Sequence, residues 1–244
     1  MKTVIIIPAR YKSTRFPGKP LAKILGKSMI ERVWIQCSKV MQENLIYVAT
    51  DSEEIKHHCI KIGINVIMTN NNCLTGTDRV YEASKKINAD LIINVQGDEP
   101  LVSPTDIEII LNEAKKNPNK IYNAMCPIID ESEYRSLSVP KVVYSQNRSL
   151  LYMSRAPIPQ NKKNSFEKAF KQVCIYSYPK NALEVFYKNK KTKYEKIEDI
   201  EILRFLELGF NVNMIEVSNS SIAVDFQEDI LKVENAILKK SSKL

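Results

Sequence analysis

The sequence predicts an α/β protein, with a mixed, mostly parallel central sheet flanked by helices and a smaller, partly antiparallel lobe following it. Three observations predict this. Apolar strand-like runs alternate with helical patterns from the amino terminus onward. Those runs are largely apolar with no alternation at every second residue, as in the β-branched TVIII at 3–7 and in LIINV at 91–95, which marks strands buried on both faces. Polar segments follow these two strands directly, at the end of the sheet where such folds bind ligands.

Residues 3–7 form the first strand, stopped at Pro8, and a polar loop runs from Ala9 to about Pro20. Met29 to Val40 reads as a helix with Ile30, Val33, Trp34 and Cys37 on one face. Leu45 to Ala49 is the second strand, and Thr50 and Asp51 are placed to cap a helix from Glu53 to Ile62. Val66 to Met68 is a short third strand, Asp78 to Ile87 a helix and Leu91 to Val95 a strand. A helix from Pro104 to about Lys116 precedes a strand from Tyr122 to Pro127. Val142 to Arg155 reads as strand, turn at Asn147, strand. Residues 157–171 are polar and read as a loop or flap, and Cys174 to Tyr178 as a strand. Helices follow at Asn181–Tyr187 and Glu195–Leu208, the second stopped by Gly209. VNMIEV is a strand, Ile222 to Asp225 opens the last unit, and Glu228 to Lys240 closes the chain as a helix. The 1–244 chain reads as a single domain whose first half ends near residue 104.

At 244 residues and 44% hydrophobic, the chain can bury a sizeable core without disulfides or metals. The net charge of +8 admits a lysine-rich solvated surface or a field that attracts small anions. Nucleic-acid binding is disfavoured, because the lysines are scattered and the densest run, Lys188 to Lys193, is short. None of the five cysteines forms a C-x-x-C pair, which fits a reducing cytoplasm. His57, His58 and Cys59 are adjacent and point to different faces of a helix, so the two histidines read as surface residues rather than part of a metal cluster. The apolar run in MKTVIIIPAR is too short for a signal peptide, and no stretch reaches the roughly 18 residues needed for membrane insertion.

Four segments carry chemistry. The first loop, PARYKSTRFPGKP, holds Arg10, Lys12, Arg15 and Lys19 with Ser13, Thr14 and Gly18 between them. It is either a solvated basic loop or a wrap for phosphates, with arginine forks and lysine point charges. It is neither a Walker loop nor a dinucleotide fingerprint. In NVQGDEP, Asp98 emerges from a buried strand and suits a hard divalent ion, or else caps the next helix. Asp225, after Ala223-Val224, is a second carboxylate for the same ion or a cap for the last helix. TGTDR at 75–79 reads as a helix start.

Together, P-A-R-x-x-S-T-R-F-P-G-K-P, T-G-T-D-R, N-V-Q-G-D-E-P and Y-M-S-R-A-P-I-P resemble the family of 3-deoxy-manno-octulosonate cytidylyltransferases, the CMP-Kdo synthetases. The resemblance spans nearly the whole chain and is densest in the first 100 residues. It implies a Rossmann-like nucleotidyltransferase fold, CTP as donor, a small acidic sugar-like acceptor, Mg2+ as cofactor and a homodimer. It also implies a nucleotide-binding half at 1–104 and an acceptor-binding and dimerisation half at 105–244. By the same resemblance, Ala9, Arg10, Ser13, Arg15 and Lys19 belong to the triphosphate loop, and Thr75, Gly76 and Arg79 to the base-recognition segment. Gln96, Arg155, Gln172, Tyr178, Glu198 and Glu201 are implied on the acceptor side, and Asp98 and Asp225 as metal ligands. Lys19, Arg10 and Asp98 are the implied catalytic groups.

The acceptor half departs from the family pattern. Gln172 stands where a histidine is usual, Ile202 where a glutamine is usual, and Phe226-Gln227 replaces a threonine-proline pair. Glutamine can donate a hydrogen bond but carries no charge. The expectation is transfer from CTP to an acidic sugar that is either 3-deoxy-manno-octulosonate or a different small anion. A CTP-binding regulator without turnover is the non-enzymatic alternative, and two retained aspartates argue against it.

Overall fold

The computed structural model describes every residue except Thr14, Asn219, Ser220 and 242–244. In chain order its elements are β1 (Thr3–Ala9), the hairpin strands β2 (Lys23–Ile24) and β3 (Lys27–Ser28), α1 (Met29–Ser38), β4 (Ile46–Thr50), α2 (Glu53–Lys61), β5 (Val66–Met68), α3 (Gly76–Lys85), β6 (Leu91–Val95) and α4 (Pro104–Lys116). They continue with β7 (Ile121–Ile128), α5 (Glu131–Arg135), β8 (Lys141–Tyr144), β9 (Leu150–Ser154), β10 (Ala169–Pro179), α6 (Lys180–Lys188), α7 (Lys193–Glu198), α8 (Ile202–Glu207), β11 (Val212–Glu216) and α9 (Asp229–Ser241).

The central sheet runs β11-β7-β10-β6-β1-β4-β5. β1 lies parallel between β4 and β6, with Ile5 opposite Ile46 and Val4 opposite Ile92. β10 is antiparallel to both β6 and β7, and β11 returns parallel on β7. The antiparallel β8–β9 pair joins the sheet through β10. All seven residues of β1 are buried, because helices cover both faces of the sheet. Val4 and Ile6 face a core with Ile92, Val80, Leu183 and Phe205, while Ile5 and Ile7 face one with Ile93, Val33 and Ile107. Burying each such side chain contributes about 1.5–3 kcal/mol.

Several elements differ from the sequence expectation for identifiable reasons. α2 is capped by Ser52, whose Oγ accepts the Ile55 N–H at 3.3 Å. Thr50 instead accepts the Ser52 N–H, and Asp51 pairs with Arg79. α3 begins two residues early, at Gly76, because Thr75 caps it through the Asp78 N–H. The helix expected over 195–208 is two helices, broken where Asp199 adopts φ +50°. The expected loop at 157–171 ends in strand, since β10 starts at Ala169, paired with Ile128 of β7 and flanked by β8. α5 and the β2–β3 hairpin carry too few residues to show a period.

The last segment returns to the first half of the chain. Val224 and Val233 pack with Ile24 and Met29, and the Leu25 N–H donates to Glu234 at 2.9 Å. This places Asp225 beside the loop that follows β1.

Candidate active site

The loop after β1 turns back over the carboxyl end of the sheet. Gly18 makes the turn at φ +71°, with its N–H on the Tyr11 carbonyl at 2.9 Å. That turn delivers Lys19, whose Nζ donates to Asp98 Oδ2 and to the Val224 carbonyl, both at 2.8 Å. Asp98 reaches this point because the preceding residue is glycine: a Cβ at Gly97 would stand 2.8 Å from the Pro8 carbonyl oxygen. The Asp98 carbonyl in turn accepts the Val224 N–H at 3.0 Å. Next to Val224, Asp225 pairs with Arg15 at 2.8 Å, and the Arg15 guanidinium lies over the Phe226 ring. Asp225 is therefore turned to the basic loop. Ala9 is buried as the last residue of β1, Arg10 and Lys12 are exposed, and Ser13 accepts the Phe16 N–H at 3.4 Å.

A second group surrounds the amino terminus of α3. Glu201 accepts the N–H groups of Gly76 and Thr77 at 3.0 and 2.8 Å. Gln96 crowds the same corner, since a Cβ at Gly76 would stand 3.2 Å from its amide. Thr75 bonds Asp78 in both directions. Arg204, fully buried, pairs with Asp78 at 3.0 Å and Glu195 at 2.6 Å, fixing α8, and with it Glu201, against α3. Sequence reasoning missed this triad, because nothing in the spacing of Asp78, Glu195 and Arg204 brings them together. Arg79, expected to recognise the base, is buried and bound to Thr69 and Asp51. Here it ties α3 to the ends of β4 and β5.

The remaining expected residues line β10 and its neighbours. Tyr178 is buried between Tyr176 and Phe205, and burial pushes its hydroxyl well above the usual tyrosine range. Gln172 donates to Asn123 Oδ1 at 2.9 Å, while Asn123 Nδ2 donates to the Val173 and Ile175 carbonyls across a bulge in β10. Ile202 faces the apolar core, which accounts for an apolar residue there. Arg155, expected to meet the acceptor, instead spends its guanidinium on the carbonyls of Glu198, Leu137 and Asp199 at 2.6, 2.9 and 3.0 Å. Glu198, likewise expected on the acceptor, accepts from Ser154 Oγ and the Arg155 N–H at 2.7 and 2.9 Å. These contacts make the pair a clamp between β9 and the α7–α8 junction.

Among the described residues no group of three or more His, Cys, Asp or Glu side chains could hold a metal. Magnesium does not require one: it takes one or two carboxylates and completes its shell with water and phosphate oxygens. Asp98 and Asp225 have the hard oxygen chemistry that suits it, and each already faces a cation. A cavity of about 600 Å³ lined by Lys2, Val40 and Leu111 lies at the amino end of β1, away from all of these groups.

The family described as cytidylyltransferase matches residues 4–218. A 3-deoxy-manno-octulosonate cytidylyltransferase of Protochlamydia amoebophila (strain UWE25) is 38% identical over 245 residues, 97% of this chain and 95% of that one. An 8-amino-3,8-dideoxy-manno-octulosonate cytidylyltransferase of Shewanella sp. (strain W3-18-1) is 38% identical over 97% of this chain and 99% of its own. A solved CMP:2-keto-3-deoxy-manno-octonic acid synthetase complexed with CTP matches with a TM-score of 0.91 and 34% identity, over 98% of this chain and 100% of that one. The protein is a nucleotidyltransferase. More closely, the chain belongs to the 3-deoxy-manno-octulosonate cytidylyltransferase family.

Proposed function

We propose that the protein transfers CMP from CTP to 3-deoxy-manno-octulosonate or a close acidic-sugar analogue, with release of pyrophosphate. The observation that carries this is the meeting of Lys19, Asp98, Arg15 and Asp225 at the carboxyl ends of β1 and β6. Opposite charges face each other there in partial contact with solvent, where a triphosphate can exchange with the aspartates for the two cations.

In the reaction, a hydroxyl of the acceptor attacks the α-phosphorus of CTP and gives up its proton to solvent as the new O–P bond forms, while the bond from that phosphorus to the oxygen bridging to the β-phosphate breaks and pyrophosphate leaves. Lys19, Arg10 and Arg15 offset the charge that grows on the phosphate oxygens. Asp98 and Asp225 would hold Mg2+, which when bound neutralises phosphate charge as a Lewis acid. Gln96, Glu201 and Gln172 offer polar groups to the acceptor, with Tyr178 buried behind them as a rigid wall. Positioning and electrostatics supply most of the rate.

The two acceptors named for the relatives set the test. Purified protein is given CTP, magnesium and a panel holding 3-deoxy-manno-octulosonate, its 8-amino analogue and other small acids, and pyrophosphate is measured. Release with an octulosonate supports the proposal. Release only with an unrelated acid, or tight CTP binding without turnover, refutes it in favour of another acceptor or a regulator.

The same proposal covers the setting. Among the described residues no helix is long and apolar enough to cross a membrane, which is compatible with work in the cytoplasm. Leu137, Leu151, Tyr194 and Ile197 expose apolar surface on or beside the elements joined by the Arg155–Glu198 clamp. A second copy covering this surface would make a homodimer, to be tested by sedimentation of the wild type and a Leu151→Glu variant.

A further inference from the structure

After β11 the chain crosses from one edge of the sheet back to the loop after β1, on the side where β7 and β6 have their carboxyl ends and the antiparallel β10 runs the other way. Successive hydrogen bonds pin this crossing. The Val217 N–H bonds the Met125 carbonyl at 2.8 Å, and Ser218 bonds Asp106 through its N–H at 3.1 Å and its hydroxyl at 2.7 Å. The Ser221 hydroxyl donates to Glu99 Oε2, and the Val224 N–H bonds the Asp98 carbonyl at 3.0 Å.

Glu99 is the unusual member of this series. It adjoins Asp98, is only 5% exposed, and its other oxygen accepts the Cys174 N–H of β10 at 3.3 Å. Burying a carboxyl group is costly unless hydrogen bonds compensate it, so an apolar residue would serve better if packing were all that was needed. What Glu99 adds is a strut with three ends: the exit of β6, the backbone of β10 and the crossing segment. Three residues lie between Ser221 and Asp225, and that short tether is held at Glu99 and again at Asp98.

We infer that Glu99 is a positioning residue, which acts through the Ser221 hydroxyl to hold Asp225 at the spacing from Asp98 that a shared divalent cation needs. The inference rests on the proposed role of the two aspartates as ligands. Its chemistry is that of a group behind the ligands, whose loss typically lowers metal affinity by about 10–100-fold.

The test is binding, with no acceptor and therefore no turnover. Mn2+ is titrated into the protein with saturating CTP and followed by the free-ion electron paramagnetic resonance signal, for the wild type, Ser221→Ala, Glu99→Ala and Glu99→Gln. CTP affinity without metal is measured on each. Glu99→Gln can keep its oxygen on the Cys174 N–H and donate its amide N–H to the Ser221 oxygen, so its Mn2+ affinity should stay within about twofold of wild type, while Ser221→Ala and Glu99→Ala should weaken it about tenfold with metal-free CTP affinity unchanged. If Glu99→Ala does not fold, Ser221→Ala alone carries the comparison. Wild-type Mn2+ affinity in Ser221→Ala would overturn the inference. So would a parallel loss of metal-free CTP binding, which marks a general structural defect, or an equal loss in Glu99→Gln. A wild-type protein that binds no Mn2+ with CTP would overturn the ligand assignment itself, a different outcome from wild type and variants binding alike.

Discussion

Lys19 and Asp98 lie 79 positions apart in the chain, yet the lysine Nζ stands 2.8 Å from the Asp98 carboxylate and 2.8 Å from the carbonyl of Val224, the neighbour of Asp225. One ammonium thus gathers the basic loop and both aspartate-bearing segments. The side chains are 14% and 34% exposed, enough contact with solvent for the pair to exchange partners when phosphates arrive.

Replacing Lys19 by methionine should therefore damage turnover far more than folding. Loss of one donor aimed at developing phosphate charge lowers kcat by about 10²–10³-fold. A partly exposed ion pair contributes only about 0–1 kcal/mol to stability. Steady-state kinetics and thermal unfolding of Lys19→Met check both expectations. Unchanged kcat would remove Lys19 from the machinery.

Arg204 predicts the opposite pattern. Its guanidinium is buried between Asp78 and Glu195 and lies 3.7 Å from the Phe186 ring centroid. Arg204→Leu leaves two buried carboxylates without their partner, which should cost about 3–5 kcal/mol in denaturant unfolding. The wall that holds Glu201 over α3 should loosen with it, so the acceptor KM should rise more than the CTP KM.

Lys141 gives a pH dependence. It is buried, and its Nζ donates to the Ser136 and Val139 carbonyls at 2.7 and 2.6 Å and to that of Arg155. Burial pushes its ammonium from 10.5 down to about 8, Arg155 adds to the shift and Glu198 opposes it. Between these values the unfolded chain holds a proton that the folded chain has released. The penalty is therefore full below about pH 8 and is relieved as pH rises toward 10.5. The Tm of wild type relative to Lys141→Met should climb from pH 8 to 10. A constant difference would contradict this.

What was legible in the sequence was what local chemistry records. Continuous apolar runs gave β1 and β6, and strand-end polarity drew attention to Lys19, Asp98 and Asp225, which the fold brings together. Gly97 stands beside the backbone of β1, where a Cβ would meet the Pro8 carbonyl. Long-range partnership stayed hidden. Arg155 and Arg79 look like free cations in sequence, but each is engaged by carbonyls or side chains far along the chain. The break at Asp199 was missed because a non-glycine residue takes positive φ there. Glu99 was passed over because its worth lies in Ser221 and Cys174, distant in sequence and adjacent only in the fold.

The most direct test of the central claim is phosphorus nuclear magnetic resonance of the protein with CTP, Mg2+ and 3-deoxy-manno-octulosonate, repeated with the 8-amino analogue. The account predicts loss of the triphosphate signals and the appearance, in equal amounts, of inorganic pyrophosphate and a single new phosphodiester resonance with at least one of the two sugars. Triphosphate signals unchanged with both sugars, in a preparation that binds CTP, would contradict it.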